Sequence, residues 1–316
     1  MSFLQNDKTG WPLLNDTNRL AHTVLTSNAQ ENEVMSSHLV FHLGNSITTV
    51  HIRPAMSDQV TVKAANDIIL EATRPIFIEV CCGHAGLSAA FQQKGWTVKP
   101  IDWYKNEHTP RIPVIWKNLT DPEQVEHIMK MIPRASFVHF APPCGTASRA
   151  RDFWCPTEDG RPPPKKLRSK QWPMGVENLD PYNQKRVEAA NKVYKAIAKL
   201  AKECHKRGVA FTIENPSNSY MWDFPDFREL IEELGLLKVD FQACMYGSKR
   251  DKFSALVTNK HEFESMRKEC DGSHTHEPWG RVHMGGDKWE WATKLECEYT
   301  PELCQSIIEV VCSIIG

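Results

Sequence analysis

From Pro75 onward the chain alternates short apolar runs with longer helix-patterned stretches, and this alternation constrains its fold more than any other feature. Ile76–Val80, Val98–Ile101, Phe137–Phe140 and Ala210–Ile213 have the length and apolar character of buried strands. Between them, 87–94, 122–131 and 184–206 read as helices. In the last, Val187, Ala190, Val193, Ile197, Leu200 and Cys204 recur every three or four residues, and Gly208 supplies a stop. Strand–helix alternation implies right-handed crossovers, hence a mostly parallel α/β sheet with helices on both faces. Ligands of such sheets lie at the carboxyl ends of the strands. The residues just after each run are therefore the ones to read for chemistry.

Composition narrows the class. The 316 residues hold 38 Lys plus Arg against 39 Asp plus Glu, a net charge of -1, so any nucleic-acid surface must be local. An apolar fraction of 41% excludes wholesale disorder. No run approaches the ~20 apolar residues of a membrane span, and MSFLQNDKTGW lacks the pattern of an export signal. Ten cysteines without such a signal point to free thiols and an intracellular location, nuclear if the source is eukaryotic and otherwise cytoplasmic. Residues 1–74 form an N-terminal extension without a recognisable motif; HLVFHLG and TTVHIRP there read as strands and 66–73 as a short helix. Residues 75–316 form the main domain. Within it, 149–183 reads as a long surface loop with Arg149, Arg151, a triple proline and the basic run KKLRSK.

Five constellations follow the strands. In IEVCCGHAGLSAAFQQKGW (78–96), a small-residue turn opens a helix, whose free N–H groups suit an anionic or polar ligand. The next strand ends in Asp102-Trp103, an acid placed to accept ribose hydroxyls beside an aromatic able to stack on a base. The bland reading of that pair is an exposed Asp and a core Trp. In FVHFAPPCGTASRARD (137–152), two prolines stiffen the strand exit and set Cys144 at the sheet edge, as a nucleophile or as an inert buried thiol. AFTIENPSNSYMW (210–222) delivers Glu214 and Asn215 to the same edge, as an acid with its neighbour or as an ordinary Asn-Pro turn. QACMYGSKRDKFSALVTN (242–259) brings Lys249, Arg250 and Lys252, a site cation or a solvated hairpin. CDGSHTHEPWG spaces Cys270, His274 and His276 as zinc ligands, with Cys244 as a fourth; a hydrogen-bonded turn is the reading preferred on spacing, so no metal is assigned.

In this order the motifs resemble the DNA cytosine-5 methyltransferase family over roughly 75–316. IENPSNSYMW, CDGSHTHEPWG and EYTPELC are similar to its divergent, compact eukaryotic members, including those of protists and mobile elements. The resemblance implies a Rossmann-like S-adenosylmethionine-dependent methyltransferase fold with a mostly parallel seven-stranded sheet. It implies S-adenosylmethionine as cofactor, contacted by Cys81, Cys82, Gly83, Ala85, Gly86, Leu87, Ser88, Asp102, Trp103, Asn118, Leu119 and Pro142. It implies catalysis by Cys144, Glu214 and Arg250, and DNA rather than RNA as the partner. Tyr299–Gly316 resembles the helix that closes the cofactor site. The sequence departs from the family at Cys81, where an aromatic is usual, at Ala85 for glycine, Asn118 for an acid, Gly145 for glutamine and Pro216 for valine. Only 258–298 is left for target recognition, which keeps an RNA substrate open. A cofactor-binding module without catalysis is the reading from another class.

Overall fold

A computed structural model describes residues 73–153 and 164–316, together with the backbone of 37–43 and 46–52. The chain divides into two units, Met1–Ala72 and Thr73–Gly316. In the first, β1 (Ser37–Leu43) and β2 (Ser46–Ile52) form an antiparallel hairpin, with Ser37 opposite Ile52. These are the two strands read from HLVFHLG and TTVHIRP. The helix expected over 66–73 lies almost wholly outside the described residues.

The second unit is built on a seven-stranded sheet. Its strands are β3 (Ile76–Val80), β4 (Thr97–Asp102), β5 (Ile115–Trp116), β6 (Phe137–Phe140), β7 (Ala210–Pro216), β8 (Leu237–Gln242) and β9 (Phe253–Thr258). Their order is β5-β4-β3-β6-β7-β9-β8. The pairs from β5 to β7 are parallel, and β9 alone runs against its neighbours. This is the mostly parallel, seven-stranded, Rossmann-like α/β sheet expected. The chain reverses its direction of travel across the sheet between β3 and β6, the switch point where such sheets bind ligands.

Helices cover both faces, and three of them start at a cap written in the sequence. α1 (Gly86–Gln93) and α6 (Pro301–Ile315) pack one face, burying Leu87, Phe91, Leu303 and Ile307 with Phe77 and Phe137. α2 (Pro122–Met129), α3 (Pro181–Lys206) and α4 (Pro225–Leu234) pack the other, burying Val125, Ile128, Ile197, Leu200, Phe227 and Leu230 with Val138 and Phe211. Asp121, Asp180 and Thr300 each accept a backbone N–H at a helix start and precede a proline. Such a cap contributes about 1 kcal/mol, and the proline's missing N–H costs nothing there. α3 therefore begins three residues before the Gln184 expected from its apolar period. Beyond β9, β10 (Arg281–His283) and β11 (Trp289–Trp291) pair as a small hairpin, followed by the single turn α5 (Ala292–Leu295).

The segment expected to be one basic loop is only partly so. Residues 154–163, with part of the triple proline, lie outside the described residues. Within KKLRSK, Lys165 pairs with Asp180 at 3.6 Å and Lys166 with Asp152 at 3.4 Å. Arg168 is 1% exposed. It donates to Thr146 Oγ1, Pro173 O, Asn191 Oδ1 and Val187 O, and lies over the Tyr194 ring. Arg168 is thus an internal pin for the loop, not the surface cation that the run suggested. The lysines stay outside because Asp152 and Asp180 hold them there.

Candidate active site

The carboxyl ends of β3 and β4 build the first half of the site. After Val80 the backbone turns sharply: Cys81, Gly83 and Ala85 all adopt left-handed φ angles of 63°, 54° and 53°. For Cys81 and Ala85 this conformation costs on the order of 1–2 kcal/mol each. Strain concentrated at one strand exit marks a turn shaped for something other than stability. Ala85 caps α1 without any side-chain hydrogen bond, so the helix opens with its N–H groups toward the turn. Asp102 Oδ2 accepts from Gly83 N at 2.7 Å and from Asn106 Nδ2 at 3.2 Å, while Oδ1 accepts from Trp103 N at 2.6 Å. The expected ribose acceptor therefore already braces the turn, and burial holds its carboxyl above the usual range against these bonds.

The other expected cofactor residues divide. Trp103 is 44% exposed, and Trp116, directly opposite Asp102 in the β4–β5 pairing, is 48% exposed. Two open indoles beside an acid suit a nucleoside base and its ribose. Cys82, Leu87, Ser88 and Leu119 are buried. Ser88 donates from N and Oγ to Glu79 Oε2 at 2.9 and 2.5 Å. Burial raises the Glu79 carboxyl to about 7 despite those bonds. Asn118 Oδ1 is taken by the N and Oγ1 of Thr120 in the turn before α2. The donors and aromatics present thus fit S-adenosylmethionine at the turn itself, through Gly83, Gly86, Asp102 and the indoles.

β6 and β7 build the second half. They run parallel with Phe140 opposite Ile213, so Pro142-Pro143-Cys144, just past the end of β6, lies beside Glu214-Asn215 in the last residues of β7. Asn215 Nδ2 donates to Pro142 O and Tyr194 OH to Pro143 O, each at 2.9 Å. Cys144 O in turn accepts from Ala147 N and Ser148 N at 2.8 Å. Two rings and four hydrogen bonds fix the half-buried thiol. Burial pushes its pKa up to about 11; Lys252 is the main group opposing this, while Cys297 and Glu214 add to it. The resting side chain is a thiol.

Glu214 is held from two sides. Tyr299 OH donates to its Oε2 at 3.4 Å, and Lys252 Nζ lies 3.5 Å from its Oε1. Behind Tyr299 stands His139, fully buried, with Nε2 at 2.9 Å from Tyr299 OH and Nδ1 at 2.7 Å from Thr212 Oγ1. With the tyrosine donating forward to Glu214, the ring carries its proton on Nε2 and accepts from Thr212 on Nδ1. Burial lowers the His139 pKa to about 3, so the ring stays neutral and the chain of bonds keeps one sense. Burial also works against the Lys252 ammonium, but Glu214, Cys144 and Cys297 outweigh it and hold its pKa above the ordinary value.

The cation at this edge is Lys252, not the expected Arg250. Arg250 is 3% exposed and ion-paired to Glu277 Oε2 at 2.7 Å and Glu296 Oε1 at 2.8 Å. Its charge is spent on tying the 277–296 stretch down. His139, Trp116 and Glu79 were not expected in the site, and Tyr299 was expected there only as the start of the closing helix. His139 and Glu79 sit inside apolar runs and read as strand interior; the resemblance put Tyr299 at the closing helix but gave no sign that its hydroxyl would reach Glu214. Among the described residues no helix is long and apolar enough to cross a membrane.

No family model and no curated protein matches the chain. Among solved structures it is similar to an O-methyltransferase family protein from Burkholderia thailandensis, at 12% identity and a TM-score of 0.30 over 63% of this chain and 55% of the other. The match therefore spans little more than half of that neighbour's length.

Proposed function

We propose that the chain is an S-adenosylmethionine-dependent methyltransferase that methylates cytosine C5 in DNA through a transient Cys144 adduct. The observation that carries this reading is the rigid Cys144 thiol set beside the Glu214–Lys252 pair at the edge that also holds the Cys81–Gly86 turn. Cytosine C5 is a poor nucleophile. Attack of the Cys144 thiolate on C6 makes C5 an enamine carbon, which can accept a methyl group. Bound S-adenosylmethionine supplies that methyl group as an electrophile. Glu214 binds the N3/N4 edge of the base, where charge develops during attack. Lys252 favours the thiolate over the thiol and offers a donor to a base carbonyl. Solvent base then takes the C5 proton, the C6–S bond breaks with its electron pair returning to sulfur, and the released thiolate is reprotonated to the resting thiol.

The target base must leave its stack to reach this edge, at a cost of a few kcal/mol in duplex and little in a single strand. Phosphate contacts would come from Lys165, Lys166 and Lys170, which are exposed beside the Cys144 loop in sequence, and from exposed Lys185, Lys192 and Lys195 on α3. The small β10–β11 hairpin is a slight platform for reading a duplex groove, which favours RNA as the second reading. Tritiated methyl transfer to duplex DNA, single-stranded DNA and tRNA, with nucleoside mass spectrometry of the product, tests both. 5-Methylcytosine in DNA supports the first reading and label in tRNA alone the second. No transfer to any of the three leaves the cofactor-binding module.

A further inference from the structure

Four side chains with metal-ligand atoms converge outside the Cys144 site. Cys244 lies in the 3-10 turn Ala243–Tyr246 that follows β8. Cys270, His274 and His276 lie in the CDGSHTHEPWG segment beyond β9. One ligand atom from each falls within 4.8 Å of all the others. Cys270 Sγ is 3.8 Å from His274 Nε2 and 3.6 Å from His276 Nε2, and the two Nε2 atoms are 3.1 Å apart.

These separations have a simple source. A tetrahedral ion with S at about 2.3 Å and N at about 2.0–2.1 Å produces S–N edges of about 3.6 Å and an N–N edge of about 3.4 Å. The observed edges lie within a few tenths of an ångström of both. A hydrogen-bonded turn explains one short pair at a time. It does not explain two thiols and two imidazoles aimed at one point.

The surroundings are those of ligands held in place. Gly272 N donates to Cys270 Sγ at 3.4 Å, and Cys270 N donates to Gln242 Oε1 at 2.7 Å. Asp271 Oδ1 lies 3.9 Å from His274 Nδ1, the nitrogen left over when Nε2 serves the centre. Outer groups of this kind set the tautomer and aim of a ligating histidine.

We propose that Cys244, Cys270, His274 and His276 bind one zinc ion as a closed structural site. Two sulfurs and two imidazoles in tetrahedral array select zinc over oxygen-seeking cations. Four protein ligands leave no position for water or substrate. The ion holds a clasp. From the metal-binding segment, Glu277 N donates to Lys249 O at 3.0 Å, Pro278 O accepts from Arg250 Nε at 3.0 Å, and Trp279 Nε1 donates to Asp251 Oδ1 at 2.8 Å. Residues 249–251 are thereby fixed just before Lys252. The inference rests on ligand geometry and stands whether or not the chain methylates cytosine.

The test is metal analysis of the full chain purified without chelator. The expected result is about one zinc per chain, falling more than tenfold in Cys270→Ser and in His276→Asn. Cys312→Ser, which also removes a thiol but an exposed one on α6, keeps the metal. Should the ligand variants fail to fold, the wild-type chain is stripped and titrated with Co(II). A tetrahedral thiolate spectrum, bleached by one equivalent of zinc, supports the site. Zinc retained in the ligand variants overturns it, as does a wild-type chain that arrives without zinc and gives no tetrahedral Co(II) spectrum.

Discussion

Cys144 and Cys270 are both half-buried thiols on loops next to the same sheet, yet their neighbourhoods differ in kind. Cys144 faces one ammonium, one carboxylate and the Cys297 thiol, with its backbone locked by Asn215 and Tyr194. Cys270 faces a second thiol and two imidazoles, on a segment whose other bonds reach 249–251. Exposure does not separate them; the charge type of the neighbours does. A thiol beside a cation is suited to attack an electrophile and leave again. A thiol among other lone-pair donors is suited to share an ion and stay.

The largest effect expected from breaking this contrast is at Cys144 itself. Cys144→Ser should abolish covalent trapping on a 5-fluorocytosine oligonucleotide with S-adenosylmethionine, since a hydroxyl is far harder to ionise than a thiol. Cys312→Ser should trap as wild type. Gel-shifted adduct in the Cys144 variant would remove it as nucleophile.

Next is the carboxylate that only the first thiol has. Glu214→Gln should slow single-turnover methylation by about 10²–10⁴ while calorimetry shows unchanged cofactor binding. An equal loss of cofactor affinity would move Glu214 to the binding half of the site.

Smaller is the effect of the turn. Asp102→Ala should weaken S-adenosylmethionine binding by about 1–3 kcal/mol, or roughly 5- to 150-fold, read by calorimetry. Unchanged affinity would mean that Asp102 serves only to brace Gly83.

The finest test compares the two thiols within one sample. With burial holding its pKa near 11, Cys144 has little thiolate at neutral pH. Its alkylation rate should therefore rise about tenfold per pH unit up to that value. Added zinc should protect Cys270 and leave Cys144 unchanged, as mapped by peptide mass spectrometry. Protection of Cys144 by zinc would merge the two sites.

Much of this was readable before any coordinates, for reasons that can be named. Ile76–Val80 and Phe137–Phe140 appear with the bounds expected, because strands buried on both faces are continuous apolar runs. The placement of Cys144 beside Glu214 follows from parallel pairing, which a strand–helix pattern implies. The start of α3 was also legible: Asp180-Pro181 is a cap and first-turn signal that the apolar period, beginning at Val187, obscured. What could not be read was the direction of individual side chains. Arg250 and Lys252 are two residues apart in one basic run, and only the acids Glu277 and Glu296, brought from 27 and 46 residues away, decide that the first is consumed and the second faces Glu214. Arg168 turned inward for a similar reason: its partners Thr146 and Asn191 come from either side of the loop. His139 gave no sign, because a histidine inside FVHF looks like any strand residue until Thr212 and Tyr299 are placed beside it.

The reversed strand β9 has a consequence for the order in which the protein is assembled. It lies between β7 and β8, so β8 is synthesised before the strand that joins it to the sheet exists. Until then the growing chain presents the open flank of β7, a row of unpaired backbone groups that includes Glu214. Lys252, Tyr299 and the metal-binding segment all arrive with or after β9. A nascent chain therefore holds its thiol and its carboxylate before it has the cation and tyrosine that govern them, and closing the sheet also completes the chemistry. Long-range pairing of this sort is slow. During that interval the exposed flank of β7 is the place where a newly made chain is most open to pairing with another copy.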